Sequence, residues 1–260
     1  MRVHLVQLDI AWENKPANFA RVRDLLATAS VSQNDLIILP EMFDTGFSLN
    51  IEVTADDRDE TLAFLRDLAA SHSATVHGGR TVRNDDSTRA TNRAPIVGPD
   101  GQLITEYAKI HPFSFGREGE RFDGGTAVEE YPWQDLRVCP AICYDLRFPE
   151  LFRIGLLRGA EAFALGANWP EARQHHWRAL LMARAIENQA FVFGVNRTGR
   201  DPHLHYVGGS LAVGPRGEIL GELDDREGIL SVAVDPSHVK RWRDAFPAWR
   251  DIRLLSSHVR

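Results

Sequence analysis

The chain has 260 residues, of which 43 % are hydrophobic and 25 % charged, and its formal net charge is −6. That balance argues against nucleic-acid binding, which needs clustered Lys and Arg to displace counterions; the longest cationic cluster is Lys240, Arg241 and Arg243, broken by Trp242. No run approaches the ~20 apolar residues of a membrane-spanning helix, so neither nucleic acid nor a membrane is an expected partner.

Val3 to Ile10 is an apolar run that reads as the first strand, without the hydrophobic stretch and small-residue cleavage site of a signal peptide. The cytoplasm is therefore the expected location. Phe19, Val22 and Leu26 follow at helical spacing. Leu36 to Leu39 is a short, wholly apolar strand ended by Pro40, and Leu62, Leu65, Leu68 and Ala69 mark a second helix. Ala74 to Val82 reads as one strand, and Arg83 to Ser87 as a polar turn. Gly98-Pro99-Asp100-Gly101 joins the strands Arg93–Val97 and Leu103–Ala108 as a hairpin.

Leu136 to Ile142 is a strand leading into Cys143, and Pro149 suits the first position of the next helix. Ala162 to Leu165 and Phe191 to Val195 are strand-like. Between them Gln174 to Asn188 is a helix with Trp177, Leu180, Leu181 and Ala185 on one face. Pro215-Arg216-Gly217 separates the hairpin strands Ser210–Val213 and Glu218–Leu220; Ile229 to Val234 is the last strand before a terminal helix. Apolar strands joined through helices, with added hairpins, make an α/β fold with sheets buried on both faces. Without linker or repeat, residues 1–260 read as a single domain.

The two cysteines, Cys139 and Cys143, lie on or beside one strand. At roughly 3.3 Å per residue they stand about 13 Å apart, too far for a disulfide, and a lone pair makes a poor zinc site. Each thiol needs its own explanation. Cys139, inside the strand, reads as packing. Cys143 stands at a strand end, where α/β folds gather reactive groups.

Glu41 and Lys109 end two other strands, in Leu39-Pro40-Glu41-Met42-Phe43 and Tyr107-Ala108-Lys109-Ile110-His111. Together the three residues are chemically coherent for acyl transfer. A thiolate is a strong nucleophile and needs a base. A buried carboxylate such as Glu41 serves if desolvation raises its pKa toward neutrality. A lysine ammonium stabilises the oxyanion, with the backbone N–H of Tyr144 as a second donor. His111, His175, His176, His203 and His205 are weighed as bases for a Cys–His enzyme, and structural roles are preferred for all of them.

These segments resemble the signature of the nitrilase superfamily of carbon–nitrogen hydrolases, which uses a Glu-Lys-Cys triad. The resemblance implies a four-layer α-β-β-α sandwich of the nitrilase type forming one carbon–nitrogen hydrolase domain, no metal or other cofactor, and a homodimer. Carried over, Glu41 is the general base, Lys109 the oxyanion stabiliser and Cys143 the nucleophile. A second active-site glutamate falls in Gly116 to Gly125, where spacing to Phe122 favours Glu118 and Glu120 competes.

Further segments resemble the ω-amidase branch: Leu39 to Phe47, Cys143 to Pro149, Ala167-Asn168-Trp169-Pro170, His176-Trp177, Ala183 to Ala190 and Phe246-Pro247-Ala248-Trp249. That branch implies hydrolysis of small-molecule substrates, the terminal amides of short α-keto acids such as 2-oxoglutaramate and 2-oxosuccinamate, through a thioester. Arg147 is a candidate for the substrate carboxylate, or else ties the turn to Asp145 or Glu150. Phe43 and Trp169 are candidate pocket walls, or ordinary core aromatics. Rival readings are an N-carbamoyl amidase or nitrilase of the same superfamily, and a non-catalytic thiol-sensing or binding protein.

Overall fold

The computed structural model describes residues 1–85 and 88–254. Asp86 and Ser87, the end of the expected polar turn, and residues 255–260 lie outside the described residues.

The first half of the chain supplies β1 (Arg2–Gln7), β2 (Leu36–Ile38), β3 (Thr75–His77), β4 (Arg80–Arg83), β5 (Ala90–Val97), β6 (Leu103–Ala108) and β7 (Phe122–Asp123). The second supplies β8 (Tyr131–Trp133), β9 (Leu136–Ile142), β10 (Ala162–Ala167), β11 (Phe191–Asn196), β12 (Thr198–Arg200), β13 (His205–Val207), β14 (Leu211–Val213), β15 (Ile219–Glu222) and β16 (Gly228–Ala233). One sheet runs β16-β1-β2-β3-β5-β4, with β6 and β7 also paired to β5; the other runs β15-β14-β11-β10-β9-β8. β1, β2 and β3 are mutually parallel, as are β9, β10 and β11, and the hairpins add antiparallel strands at the edges.

Side-chain alternation sets the layers. Val3 and Leu5, Leu36 and Ile38, Ala162 and Ala164, and Phe191 and Phe193 meet between the sheets. Their neighbours face outward. Val6, Ile37 and Leu39 pack under helices α1 (Lys15–Leu26) and α2 (Glu60–His72). Phe163, Leu165 and Val192 pack under α3 (Pro149–Leu157) and α4 (Gln174–Asn188). The result is the α-β-β-α sandwich.

Local chemistry explains the ends of these helices. Asn14 caps α1 by accepting from the Ala17 N–H at 3.2 Å, and Pro149 opens α3 where its missing N–H costs nothing. On α4, Trp177, Leu181 and Ala185 repeat every four residues and are buried, each large side chain contributing roughly 1.5–3 kcal/mol. The segment read as one strand from Ala74 to Val82 is two, β3 and β4, interrupted at Gly78-Gly79. Among the described residues no helix is long and apolar enough to cross a membrane.

Candidate active site

Three strands deliver three reactive side chains to one place. The chain leaves β2 through Leu39 and Pro40 to Glu41, leaves β6 directly into Lys109, and leaves β9 directly into Cys143. The backbone at two of these ends is unusual. Met42, next to Glu41, and Cys143 itself both have φ of 44°, and Arg117, just before Glu118, has φ of 59°. Side chains adopt this left-handed region at a cost of about 1–3 kcal/mol each, so the surrounding fold must hold these turns.

Close packing does so at Glu41. A Cβ on Gly166 in β10 would stand 2.5 Å from the Leu39 carbonyl oxygen and 2.6 Å from the Glu41 nitrogen; one on Gly79 would stand 2.7 Å from the Met42 nitrogen. Each position requires glycine because a neighbouring backbone fills the side-chain space. The interruption at Gly78-Gly79 thus makes room for the Glu41 turn.

At the centre, Lys109 Nζ donates to Glu41 Oε1 at 2.7 Å and to Glu118 Oε2 at 2.8 Å. Asn92 Nδ2 reaches the same two acids, at 2.8 Å and 3.1 Å. Glu41 Oε2 accepts from the Asn168 N–H at 3.0 Å, while Glu118 Oε2 accepts from the Phe113 N–H at 2.5 Å. The Asn168 carbonyl oxygen lies 3.9 Å from Cys143 Sγ. Glu41, Lys109, Glu118, Asn92 and Cys143 are all buried. Glu120 stands outside the cluster, exposed and paired with Arg117 at 2.7 Å.

One cation therefore serves two carboxylates. Burial pushes Glu41 up, but the Lys109 ammonium and the donors on Asn168 and Asn92 outweigh it and hold the acid below the usual range. The condition set for Glu41 as a base, that desolvation raises it toward neutrality, is therefore not met at rest. It is Glu118 that rises, through burial, with the Glu41 charge adding to it against the pull of Lys109. Burial works against the charge on Lys109, yet Glu118 and Glu41 raise it above the ordinary lysine value. The Cys143 thiol is pushed well up, by burial and then by the negative charge of Glu41. The resting arrangement is a neutral thiol beside an ionised carboxylate.

Asp145 links two of the strand ends. Its Oδ2 accepts from the Ile142 N–H at 2.9 Å and the Tyr107 hydroxyl at 2.8 Å, and its Oδ1 from the His111 N–H at 3.0 Å. His111 Nδ1 lies 2.7 Å from Oδ1, and its ring stacks on Phe148 with centroids 3.7 Å apart. These contacts give His111 a structural place.

Cys143 and Lys109 open onto a cavity of about 650 Å³. Tyr144, Arg147 and Trp169 line it; Phe43 does not. Phe43 is wholly buried, with its ring 6.0 Å from Phe19 and 5.9 Å from Phe64 beneath the helices. The pocket role read for it belongs by position to Phe47, which lines the cavity and has Lys109 Nζ 5.4 Å from its ring centroid. Arg147 lies over Trp169 at 4.6 Å and touches His176 at 3.4 Å. Among the described residues no carboxylate pairs with it, so neither Asp145 nor Glu150 ties it down. Tyr144 lies in the first turn of the 3-10 helix Cys143–Arg147, where backbone N–H groups lack helical partners.

Asn92 escaped the sequence reading, and Asp145 was read only as a partner for Arg147, not for Tyr107 and His111. Asn92 lies on the buried face of β5 with Ala90 and Ala94, and a polar residue in that apolar alternation was the available signal. Among the described residues no group of three or more His, Cys, Asp or Glu could hold a metal ion.

The family model for carbon–nitrogen hydrolases matches residues 2–244. An ω-amidase, YafV, of Yersinia enterocolitica is 35 % identical over 96 % of this chain and 96 % of its own. A 2-oxoglutaramate amidase of Bacillus subtilis is 32 % identical, over 96 % of this chain and 97 % of its own. The crystal structure of XC1258 from Xanthomonas campestris, a CN-hydrolase superfamily protein with an arsenic adduct in its active site, superposes with a TM-score of 0.90 and 34 % identity, covering 97 % of both chains. The chain belongs to the carbon–nitrogen hydrolase family and is a hydrolytic amidase of the nitrilase superfamily.

Proposed function

We propose that this carbon–nitrogen hydrolase opens the terminal amide of short α-keto acid amides, with 2-oxoglutaramate and 2-oxosuccinamate as favoured substrates and a thioester on Cys143 as intermediate. The observation that carries the reading is the buried Glu41–Lys109–Glu118 cluster, with Lys109 Nζ 2.7 Å from Glu41 and with Lys109 and Cys143 both on the wall of the cavity. An arginine on the cavity wall without a carboxylate partner suits the acid end of such a substrate. The similar ω-amidase and 2-oxoglutaramate amidase support the same substrate class.

In the first step Cys143 Sγ bonds to the amide carbon and its proton passes to Glu41. The transfer is uphill at rest, because the acid is weakly basic and the thiol holds its proton tightly. It proceeds as the C–S bond forms and the thiol loses its hold. Lys109 and the Tyr144 N–H take the developing oxyanion, each such donor contributing roughly 3–4 kcal/mol. As the ammonium turns to that oxygen, its grip on Glu41 loosens and the acid becomes more basic.

The tetrahedral carbon then expels nitrogen, which takes the proton from Glu41 and leaves as ammonia. Water attacks the thioester and gives its proton to Glu41; the C–S bond breaks and the sulfur regains that proton. The sum is amide plus water giving acid plus ammonia. Glu118 keeps Lys109 in place throughout. Ammonia release from 2-oxoglutaramate, set against hydrolysis of N-carbamoyl compounds and nitriles, tests the reading. Preference for either of the latter would assign the protein to a different branch. A homodimer remains the expectation from the resemblance, and the cytoplasm the default location.

A further inference from the structure

Arg173 drew no attention in the sequence, yet it lines the same cavity as Cys143 and Arg147. It closes the 3-10 turn Glu171–Arg173 and stands immediately before α4, with no side-chain capping bond to that helix. Its guanidinium lies 5.5 Å from the centroid of Phe113, much as Arg147 lies 5.8 Å from that of Tyr144. The Phe113 and Tyr144 rings are themselves 4.9 Å apart. The two cations thus stand along one continuous aromatic wall.

Neither is held in an ion pair: among the described residues no carboxylate pairs with either arginine. Of the acids nearby, Glu171 pairs with His205 at 2.8 Å, while Glu13 and Asp201 point to the Ser48 and Tyr206 hydroxyls, each at 2.6 Å, and form no ion pair with either arginine. The charge of Lys109 is already taken up by Glu41 and Glu118. The first turn of α4 holds no acidic residue, although a carboxylate there would be favoured by the helix dipole. Burial lowers the pKa of Arg147, and the charge of Arg173 lowers it further. Two like charges kept together without a counterion, on a chain of net charge −6, are an arrangement that an anionic ligand completes.

We propose that Arg173 is a second anion-binding residue of the site, which with Arg147 forms a clamp on the carboxylate end of the substrate acid and so selects anionic amides over neutral ones. This rests on the hydrolase reading above and adds a residue to it. A planar guanidinium holds a carboxylate through charge-assisted hydrogen bonds, and loss of one such partner weakens binding by about 10- to 100-fold.

The experiment compares wild type, Arg173→Ala and Arg173→Lys in ammonia release from 2-oxoglutaramate. In parallel, calorimetry measures binding of the product 2-oxoglutarate to Cys143→Ala with and without Arg173→Ala. The expected result is a KM raised about 10- to 100-fold in Arg173→Ala with a much smaller change in kcat, partial recovery in Arg173→Lys, and a matching loss of 2-oxoglutarate affinity. Unchanged KM and unchanged 2-oxoglutarate binding would overturn the clamp even if the wild type is a good amidase. A wild type that opens no 2-oxoglutaramate but binds 2-oxoglutarate through Arg173 would sink the proposed substrate and leave the clamp standing. Failure of Cys143→Ala to bind 2-oxoglutarate at all would overturn the clamp.

Discussion

Tyr107 donates its hydroxyl to Asp145 Oδ2 at 2.8 Å, and this bond joins the strand that ends in Lys109 to the turn that carries Cys143. Burial, reinforced by the charge of Asp145, keeps the phenol protonated and therefore a donor. Tyr107→Phe leaves a buried carboxylate oxygen short of one partner, which costs about 1–3 kcal/mol. The melting temperature should fall by about 2–4 °C for each kcal/mol lost, with kcat reduced more than KM is raised. Calorimetry and steady-state kinetics on the same preparation check both; an unchanged melting temperature would deny the link.

Glu118 and Glu120 are two residues apart and should behave as different kinds of residue. Glu118→Gln removes a charge that touches Lys109 at 2.8 Å and should lower kcat by about 10²–10⁴-fold, the range for a group in the proton network. Glu120→Gln alters an exposed pair with Arg117, whose value is about 0–1 kcal/mol, and should leave turnover near wild type. Equal losses in the two variants would contradict the division.

Gly166→Ala tests how the Glu41 turn is held. The new methyl group would stand 2.6 Å from the Glu41 nitrogen, so one backbone must move, at about 1–3 kcal/mol. The expected outcome is lower stability together with a loss of kcat out of proportion to it, because the displaced element carries Glu41. Circular dichroism melts and kinetics at a temperature where the variant is folded separate the two effects.

Asp44, three residues after Glu41, gives a stability prediction with a definite sign. It is fully buried, and desolvation pushes its carboxyl from 3.8 up to about 6 against the pull of Lys15. Between those values the folded protein binds the proton more tightly than the unfolded chain does. Stability therefore falls as pH rises through that window, and a cost on the order of 3 kcal/mol persists above it. Asp44→Asn keeps an acceptor for the Thr61 hydroxyl and removes the charge. Its stability relative to wild type should climb from near zero at pH 3.5 to a plateau above pH 7, read from denaturant midpoints; a gap independent of pH would refute the assignment.

The strand ends were legible because apolar runs stop abruptly at charged or reactive residues: Leu36 to Leu39 before Glu41, Leu136 to Ile142 before Cys143. The layers were legible for the same reason, since wholly apolar strands need cover on both faces. The places of Asn92 in the cluster and of Arg173 on the cavity wall were not, because they depend on what other strands and turns bring beside them. Phe43 was read as a pocket wall or a core aromatic, and the core is where it packs, because closeness to Glu41 in the chain does not say which side of the turn a ring faces. The pKa of Glu41 could not be read at all: burial and ion pairing act in opposite directions, and only distances decide between them.

The central claim is that Cys143 attacks the amide carbon of 2-oxoglutaramate. Ammonia release from that compound, measured side by side for wild type and Cys143→Ala, tests it most directly. The account predicts turnover by the wild type and none by a variant whose circular dichroism and melting temperature show an intact fold. Ammonia release by folded Cys143→Ala at a rate comparable to wild type would contradict it.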